Sequence, residues 1–327
     1  MHFRTELSVT KSLFQIHHGT PFLTIGSCFS EEIGHLLKTS KFNVLNNPFG
    51  TTFNPISIAS IIRDLCLPSE RKNNPVLAGD VWLDYRFHSS VYGYTEQELQ
   101  EKITQKYQLA HEQLNQPDAV FIITLGTAWV YRLLSENIIV ANCHKQNQSL
   151  FQKELSPLDE QLKVFKEALD LLFKTYPHCR VVLTLSPVRH TKDGLEENQI
   201  SKSILRLLCH QLNQAYSSLH YFPAYEIVLD DLRDYRFYSK DLVHPNEQAV
   251  EYIWEKFRHT FFDQNTDKTV HQWKQIRQNL LHKPFYEKGK AHKKFLEQTL
   301  QQLEHIRHKM DVSQEIEELK QIIQRHS

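Results

Sequence analysis

The chain has 327 residues, and its 38 lysines and arginines balance 38 aspartates and glutamates, so the formal net charge is zero. This length exceeds the usual size of one domain and predicts either two domains or one large domain with an appendage. A neutral chain has no overall field that attracts nucleic acid or an anionic membrane, so we expect neither as a partner.

Cysteine and histidine spacing argues against disulfides and metal sites. The five cysteines are widely scattered and form no CxxC pair, which is typical of buried free thiols: Cys28, Cys66, Cys143, Cys179 and Cys209. The sequence contains no HExxH or comparable ligand set, and neither a GxGxxG nor a P-loop pattern. We therefore expect no metal and no cofactor.

The N-terminal stretch, residues 1–19, contains no apolar segment of signal-peptide length and no small-residue cleavage site. No run elsewhere approaches the ~18 apolar residues of a membrane-spanning helix. These features predict a cytoplasmic protein without a membrane partner.

Short apolar runs alternate with helix-length segments along the first three quarters of the chain. The strand candidates are residues 22–25, 118–125, 179–187 and 219–230, and the helical patterns are near 30–39, 94–114, 157–176 and 201–216. Runs that are apolar throughout suit strands covered on both faces, and helices between them imply parallel crossovers. We predict a three-layer α/β/α sandwich with a mostly parallel sheet.

Beyond residue 262 the chain is rich in Gln, Lys, Glu and His and contains no strand candidate. We predict two domains, an α/β domain over 1–262 and a helical appendage over 263–327. Within the appendage, residues 296–310 and 315–324 are candidates for an antiparallel hairpin, docked on the α/β body or on a second subunit as a homodimer. We expect it to serve packing rather than catalysis.

The stretch GSCF, residues 26–29, connects the first strand to the first helix. Glycine permits a sharp turn, and a nucleophile just after it stands at a helix N-terminus, whose dipole stabilises a thiolate or an oxyanion. Ser27 and Cys28 are both candidates. The alternative is a purely structural turn, in which Ser27 caps the helix and Cys28 fills space.

A partner for such a nucleophile occurs late in the chain. Asp241 and His244 have Asp-x-x-His spacing on a loop that ends at Pro245, before an amphipathic helix. An aspartate three residues before a histidine can bind one ring nitrogen, fix the tautomer and leave the other nitrogen for the nucleophile.

Six motifs occur together in order: GSCFS (26–30), NPFGTTFNP (47–55), ITLGTAWVY (123–131), NCHK (142–145), LSPVRHTKDG (185–194) and DLVHPN (241–246). They resemble GSCFA-domain proteins over roughly residues 5 to 260, with Ser30 where that family usually has Ala. The family is similar to a branch of the SGNH (GDSL-like) hydrolases. That resemblance implies a flavodoxin-like sandwich and the activity of an esterase, lipase or O-acyltransferase.

Laying Gly-Ser-Cys over the Gly-Asp-Ser block of that superfamily puts Cys28 at the nucleophile position. A thiol near a helix N-terminus and a histidine can have its pKa lowered, so we predict that Cys28 attacks. The alternative is that Ser27 attacks while Cys28 packs inward. Asp241 and His244 match the superfamily's late Asp-x-x-His block.

The resemblance also implies oxyanion donors. Gly50 matches the second-block glycine, with Asn47 and Asn54 as nearby amides. Gly126 matches the third-block glycine, but Ala128 stands where Gly-x-Asn has its amide. Either another group replaces that donor, with Thr127, Asn142 or a backbone N–H as candidates, or the activity is modest.

Two further stretches are expected to line the crevice. Arg189 and His190 follow a strand, where they can face a carboxylate, a phosphate or an acyl-donor group. Asn142 and His144 are the candidates in NCHK. The alternatives are a surface salt bridge for Arg189 and hydrogen-bonded loop positions for the histidines.

These residues predict acyl transfer through a covalent acyl-enzyme. His244, oriented by Asp241, deprotonates Cys28, which attacks an ester or thioester; water or an acceptor hydroxyl then resolves the intermediate. The substrate is an acylated small molecule or glycan, with an acyl thioester as a candidate donor. The alternative is a catalytically degenerate module that binds a glycan or an acyl group without turnover.

Overall fold

The computed structural model describes residues 5–286 and 289–325. The strands are β1 Pro21–Gly26, β2 Asn43–Asn46, β3 Pro75–Ala78, β4 Val81–Asp84, β5 Val120–Leu125, β6 Trp129–Leu133, β7 Ile138–Val140, β8 Phe151–Leu155, β9 Arg180–Leu185 and β10 Leu219–Phe222. The helices are α1 Cys28–Thr39, α2 Pro55–Cys66, α3 Glu96–Leu114, α4 Leu158–Thr175, α5 Leu195–Ala215, α6 Ala224–Glu226, α7 Glu247–Phe261, α8 Gln264–Leu281, α9 Lys290–Ile306 and α10 Ser313–Arg325.

Five parallel strands form the central sheet in the order β10-β9-β5-β1-β2. Counted along the chain among themselves, these strands have the order 2-1-3-4-5, which is that of flavodoxin-like folds. The order reverses between β1 and β5, and ligands of such sheets bind outside the carboxyl ends of the strands at this switch point. The predicted mostly parallel sandwich is confirmed.

Helices cover both faces of the sheet because its strands are apolar on both sides. Leu23 and Ile25 of β1 pack into a cluster with α2, α3, α4 and α5. Phe22, on the other face, packs into a second cluster with α1 and α7. Burial of two apolar layers against one sheet is the main source of stability for such a sandwich.

Two features of the body differ from the expectation. The fourth strand candidate, 219–230, is a strand only as far as Phe222, since Pro223 follows and residues 224–231 are helical. In addition, β3 pairs with β4, and β6 lies between β7 and β8, as small antiparallel sheets that were not predicted.

The C-terminal helices α8, α9 and α10 have an apolar cluster of their own, which includes Trp273, Leu303 and Leu319. They dock on the chain's own body: the Trp273 indole N–H donates to the Thr39 carbonyl at 2.7 Å, and Lys41 pairs with a carboxylate of α10. The boundary at residue 262 and the homodimer stay predictions. Among the described helices, none combines the length and hydrophobicity that a membrane crossing requires.

Gly26 ends β1 with φ at +147°, a backbone conformation that strains any residue with a side chain. A Cβ there would lie far inside contact distance of the Thr124 backbone on β5. We expect Gly26→Ala to lower the free energy of unfolding by about 3 kcal/mol, from backbone strain and overpacking together. Urea unfolding measures this loss.

Gly19→Ala is the matched control, because nothing lies within 4 Å of a Cβ at Gly19. We expect it to change the free energy of unfolding by less than about 0.5 kcal/mol. Equal stability of the two variants would show that the Gly26 corner tolerates a side chain.

Candidate active site

The corner after β1 places two side chains in different environments. Ser27 precedes α1, its N–H donates to the Thr124 carbonyl at 3.1 Å, and its hydroxyl is fully buried without a hydrogen-bond partner. Cys28 is the first residue of α1 and is partly exposed. The corner therefore buries the serine and presents the cysteine.

Cys28 and His244 line the same cavity, which has a volume of about 930 Å³. Its walls are one side of α1 from Cys28 to Thr39, one side of α7 and one side of α8. Within residues 5–286 and 289–325, no three His, Cys, Asp or Glu side chains converge as a metal-ligand group.

Asp241 and His244 form the pair that the spacing predicts. The Nδ1 of His244 lies 2.7 Å from Oδ2 of Asp241, and Oδ1 accepts the N–H groups of Val243 and His244. The Val243 N–H and then the His244 ring lower the pKa of Asp241 to about 2. Asp241 is thus an anion at neutral pH, Nδ1 carries its proton toward it, and Nε2 is left to accept another.

The loop that carries this pair is held from two sides. The Ser239 N–H donates to the His244 carbonyl at 2.8 Å, and the Arg189 N–H donates to the Val243 carbonyl at 3.2 Å. The Arg189 guanidinium lies over the ring of Tyr238, 4.1 Å from its centroid. Arg189 was expected to face a ligand; in the structure its side chain packs on tyrosine and its backbone supports the loop.

The pKa of the Cys28 thiol is raised, so the expected lowering is wrong for the resting structure. Burial is the main cause and outweighs the N–H groups of Phe29 and Cys28 and the charge of Lys202, all of which lower the pKa. Glu32 raises it further. At neutral pH the resting thiol is therefore protonated and needs a base.

The residues expected as oxyanion donors form hydrogen bonds within the fold instead; they are Gly50, Gly126 and Thr127. The N–H groups of Gly126 and Thr127 both donate to the Phe53 carbonyl, at 2.7 and 3.2 Å, and the Thr127 hydroxyl bonds to Ser201. The Gly50 N–H donates to the Asn47 carbonyl at 2.8 Å. These three residues shape the loops at the sheet edge and do not line the cavity.

Asn54 caps α2, where its side-chain oxygen accepts the Ser57 N–H at 2.8 Å. It too lies outside the cavity lining. The role that the structure gives Asn54 is therefore that of a helix N-cap.

Asn142 and His144 lie beside the antiparallel sheets rather than at the cavity. The Asn142 oxygen accepts the His144 N–H at 2.8 Å. The His144 ring bonds through Nε2 to the Asp84 carbonyl at 2.8 Å and through Nδ1 to the Ser89 hydroxyl at 2.9 Å. Both ring nitrogens are satisfied within the fold, so this motif is a structural turn.

His190 lies edge-to-face against Phe53, and its Nε2 is buried without a hydrogen-bond partner. Burial is the largest cause that lowers its pKa, to about 4, and the charges of Lys202 and His244 act in the same direction. His190 is therefore a neutral imidazole at pH 7, near the loop that carries Asp241 and His244.

Lys202 was not predicted and is the functional candidate that reasoning from the sequence missed. This α5 residue is 1% exposed, and its ammonium donates to the carbonyls of Gly126 and Ser186, both at 2.8 Å. The one sequence feature that indicates Lys202 is its spacing: it stands in helical register with Leu205 and Cys209, on the buried face of α5.

Residues 21–257 match the model of the GSCFA family, and residues 273–325 match the GSCFA domain protein, C-terminal domain. The chain belongs to the GSCFA family. The first matched segment of this GSCFA protein contains Cys28, Asp241, His244 and Lys202, and the second contains the C-terminal half of α8.

Two solved structures are similar to the GSCFA chain at low identity. One is a candidate platelet activating factor from Streptococcus pneumonia, with 12% identity, a TM-score of 0.36 and coverage of 73% of this chain and 84% of the other. The second is a family 3 carbohydrate esterase from Clostridium thermocellum, with 14% identity, a TM-score of 0.29 and coverage of 73% and 95%. No curated protein is significantly similar in sequence.

Helix α8 forms the outer wall of the cavity because it runs antiparallel to α7. Arg258 pairs with Asp267 at 2.6 Å, and one heptad further along each helix Glu251 pairs with Lys274. Continuing this register places Gln278 level with Glu247, just after the loop that carries Asp241 and His244. The C-terminal domain of the GSCFA protein therefore contributes directly to the candidate active site.

Acidification should destabilise the protein through His190. Its folded pKa, about 4, lies below the usual ~6.5, so the unfolded chain binds more protons between these two values and stability falls as pH drops. We expect His190→Gln to remove about 2 to 3 kcal/mol of the stability lost between pH 6.5 and pH 4. Urea unfolding at several pH values measures it.

His210→Gln, at an exposed position of α5, is the control and should keep the wild-type pH dependence. If the His190 variant lost as much stability on acidification as wild type, the imidazole would not be held neutral by burial.

Proposed function

We propose that this GSCFA protein is an acyl-ester hydrolase or O-acyltransferase that forms a thioester on Cys28. One observation carries the proposal: Cys28, at the N-terminus of α1, lines the same cavity as His244, and Nδ1 of His244 is hydrogen-bonded to Asp241. Nucleophile, base and orienting carboxylate are the three parts that covalent acyl transfer needs.

The proposed first step joins the Cys28 sulfur to the carbonyl carbon of the ester and moves the thiol proton to His244. Asp241 holds the His244 tautomer with the proton on Nδ1, and Nε2 takes the proton of the Cys28 thiol as the sulfur attacks the ester carbonyl. The tetrahedral intermediate collapses, the C–O bond breaks, and the leaving alkoxide receives that proton from His244. Water or an acceptor hydroxyl then attacks the thioester by the same route, and the Cys28 sulfur leaves.

Burial supports Cys28 over Ser27 as the nucleophile. The Ser27 side chain is fully buried and does not line the cavity, whereas Cys28 does. The raised pKa of Cys28 is consistent with a dependence on His244, because a protonated thiol attacks only after a base removes its proton.

The N-terminus of α1 is the proposed oxyanion site. The first N–H groups of a helix have no acceptor within the helix, and those of Cys28 and Phe29 act on the Cys28 sulfur. They replace the donors expected from Gly126 and Thr127, which bond to Phe53. Backbone donors at a helix N-terminus also gain from the helix dipole.

The proposed substrate is the acyl ester of a small molecule or a glycan, with an acyl thioester as a candidate donor. The cavity volume, about 930 Å³, lies at the upper end of the range for small-molecule sites. Apolar side chains such as Val188 and Leu281 line it together with carboxylates such as Glu32 and Glu247. This mixed lining suits a ligand that has both an acyl chain and hydroxyl groups.

Acyl adducts test the proposal. After brief exposure to activated acyl esters of increasing chain length, we expect intact-mass spectrometry to show one adduct, mapped to Cys28. Cys28→Ala should abolish it, and His244→Ala should slow its formation about 10²-fold or more because the general base is lost. Asp241→Asn should also slow it, since the amide no longer fixes the tautomer.

Ser27→Ala is the control and should still form the adduct. An adduct on Ser27 would contradict the assignment of the nucleophile. Ligand-induced thermal stabilisation without any adduct, and unchanged by Cys28→Ala, would favour a binding module instead. The engagement of Gly126 and Thr127 by Phe53 is the observation that favours this second candidate.

The α8 wall should set the size of the acyl group. Gln278 lines the cavity on the last turn of α8, whereas Gln272 does not line it. We expect Gln278→Trp to slow adduct formation with long acyl donors about tenfold by steric exclusion, and to leave acetyl donors unaffected. Gln272→Trp is the matched control; an equal effect of both substitutions would rule out α8 as a specificity element.

A further inference from the structure

Lys202 is a buried lysine placed where three strands end. Its ammonium bridges the carbonyls of Gly126, after β5, and Ser186, after β9, at 2.8 Å each. Gly26, at the end of β1, is the register partner of Thr124 on β5, so Cys28 leaves the sheet beside the strand that Lys202 holds. The lysine thus reaches the carboxyl edge of the sheet from the face opposite α1.

Burying a lysine without a counter-ion is costly, and nearly all buried charges are paired. Among the described residues, Lys202 forms no ion pair with a carboxylate, and its hydrogen-bond partners are two neutral carbonyls. Burial lowers the pKa of Lys202 to about 7, and the Cys28 thiolate, the group of opposite charge that acts on it, raises that pKa. In return, Lys202 lowers the pKa of the Cys28 thiol. In the described part of the chain, Lys202 is therefore buried without a carboxylate partner, and the anion that offsets its charge is the thiolate that forms on Cys28 in the proposed reaction.

We propose that Lys202 is a positioning residue for Cys28: its buried ammonium, held between the ends of β5 and β9, stabilises the thiolate in attack and in thioester breakdown. This inference rests on the proposed function only in taking Cys28 as the nucleophile. Lys202 exchanges no proton with the substrate. The thiol proton still goes to Nε2 of His244, and Lys202 acts through charge alone.

The groups around this pair set its pH dependence. Cys28 faces Glu32 on its own helix, which raises the thiol pKa, and Lys202 from α5, which lowers it. Lys202 also acts on His190, after β9, and lies 5.8 Å from the ring centroid of Tyr225 on α6. His244 shares the cavity with Cys28. Removing the lysine therefore takes away the stabilising charge and leaves only the N–H groups of Phe29 and Cys28 to oppose burial and Glu32.

The fraction of Cys28 present as thiolate is measured by its rate of alkylation with iodoacetamide. The rate is followed against pH in the full-length protein, and the alkylated residue is mapped by peptide. We expect Lys202→Met and Lys202→Gln each to move the midpoint of the profile up by about one pH unit. The rate at pH 7 should fall about threefold, because the loss of thiolate is partly offset by the higher nucleophilicity of a more basic sulfur. Lys106→Met, at a part-buried lysine of α3, should leave the profile unchanged.

An unchanged midpoint in the folded Lys202 variants would overturn the proposal. A shift in Lys202→Met but not in Lys202→Gln would also overturn it, since the effect would then come from hydrogen bonds rather than from charge. If neither variant folds, the Lys202 side-chain nitrogen is titrated by NMR in Cys28→Asp, which places a carboxylate at this position, and in Cys28→Ala. The pKa of Lys202 should be higher in Cys28→Asp, and equal values would refute the pairing. Alkylation requires no acyl transfer, so a missing acyl adduct would contradict the proposed function and not this inference.

Discussion

The close approach of β1 to β5 at Gly26 is the constraint on which the candidate site depends. The positive φ of Gly26 and the missing Cβ let its backbone lie against Thr124, and the Ser27 N–H then bonds to the Thr124 carbonyl. Because the turn is this tight, α1 begins at Cys28, directly at the carboxyl edge of the sheet. A wider turn would move the thiol away from the His244 loop and from the lysine that approaches from α5.

Burial and charge act on the thiol in opposite directions, and burial prevails at rest. Desolvation raises the pKa of Cys28, while the first N–H groups of α1 and Lys202 lower it. A thiol held protonated is protected from oxidation, since the thiolate is the reactive form. In the proposed reaction, the same N–H groups and the same lysine favour the anion once His244 takes the proton, so the proposed site suits the charge that forms during reaction rather than the resting state.

The sequence predicted features that depend on local pattern and missed those that depend on distant contacts. The buried strands β1, β5 and β9 are mostly apolar on both faces and were recognised, whereas the short half-exposed strands of the antiparallel sheets carry little periodicity. The pair Asp241 and His244 was found because three residues separate them. The N–H groups of Gly126 and Thr127, expected as oxyanion donors, bond to the Phe53 carbonyl. No local pattern shows this contact, because Phe53 is more than 70 positions away in the chain.

The two family segments of the chain meet at the cavity, and this changes how the C-terminal helices are understood. Their apolar cluster and the Trp273 contact are those of a packing element. The antiparallel register set by Arg258 with Asp267 and by Glu251 with Lys274, however, carries α8 along α7 as far as the loop of Asp241 and His244. These ion pairs are partly exposed, so each contributes little to stability. Their effect is to align α8 with α7. A slip of α8 by one turn would move its last turn past Glu247 and open the cavity, so the same contacts that dock the C-terminal domain also fix the size of the space beside Cys28.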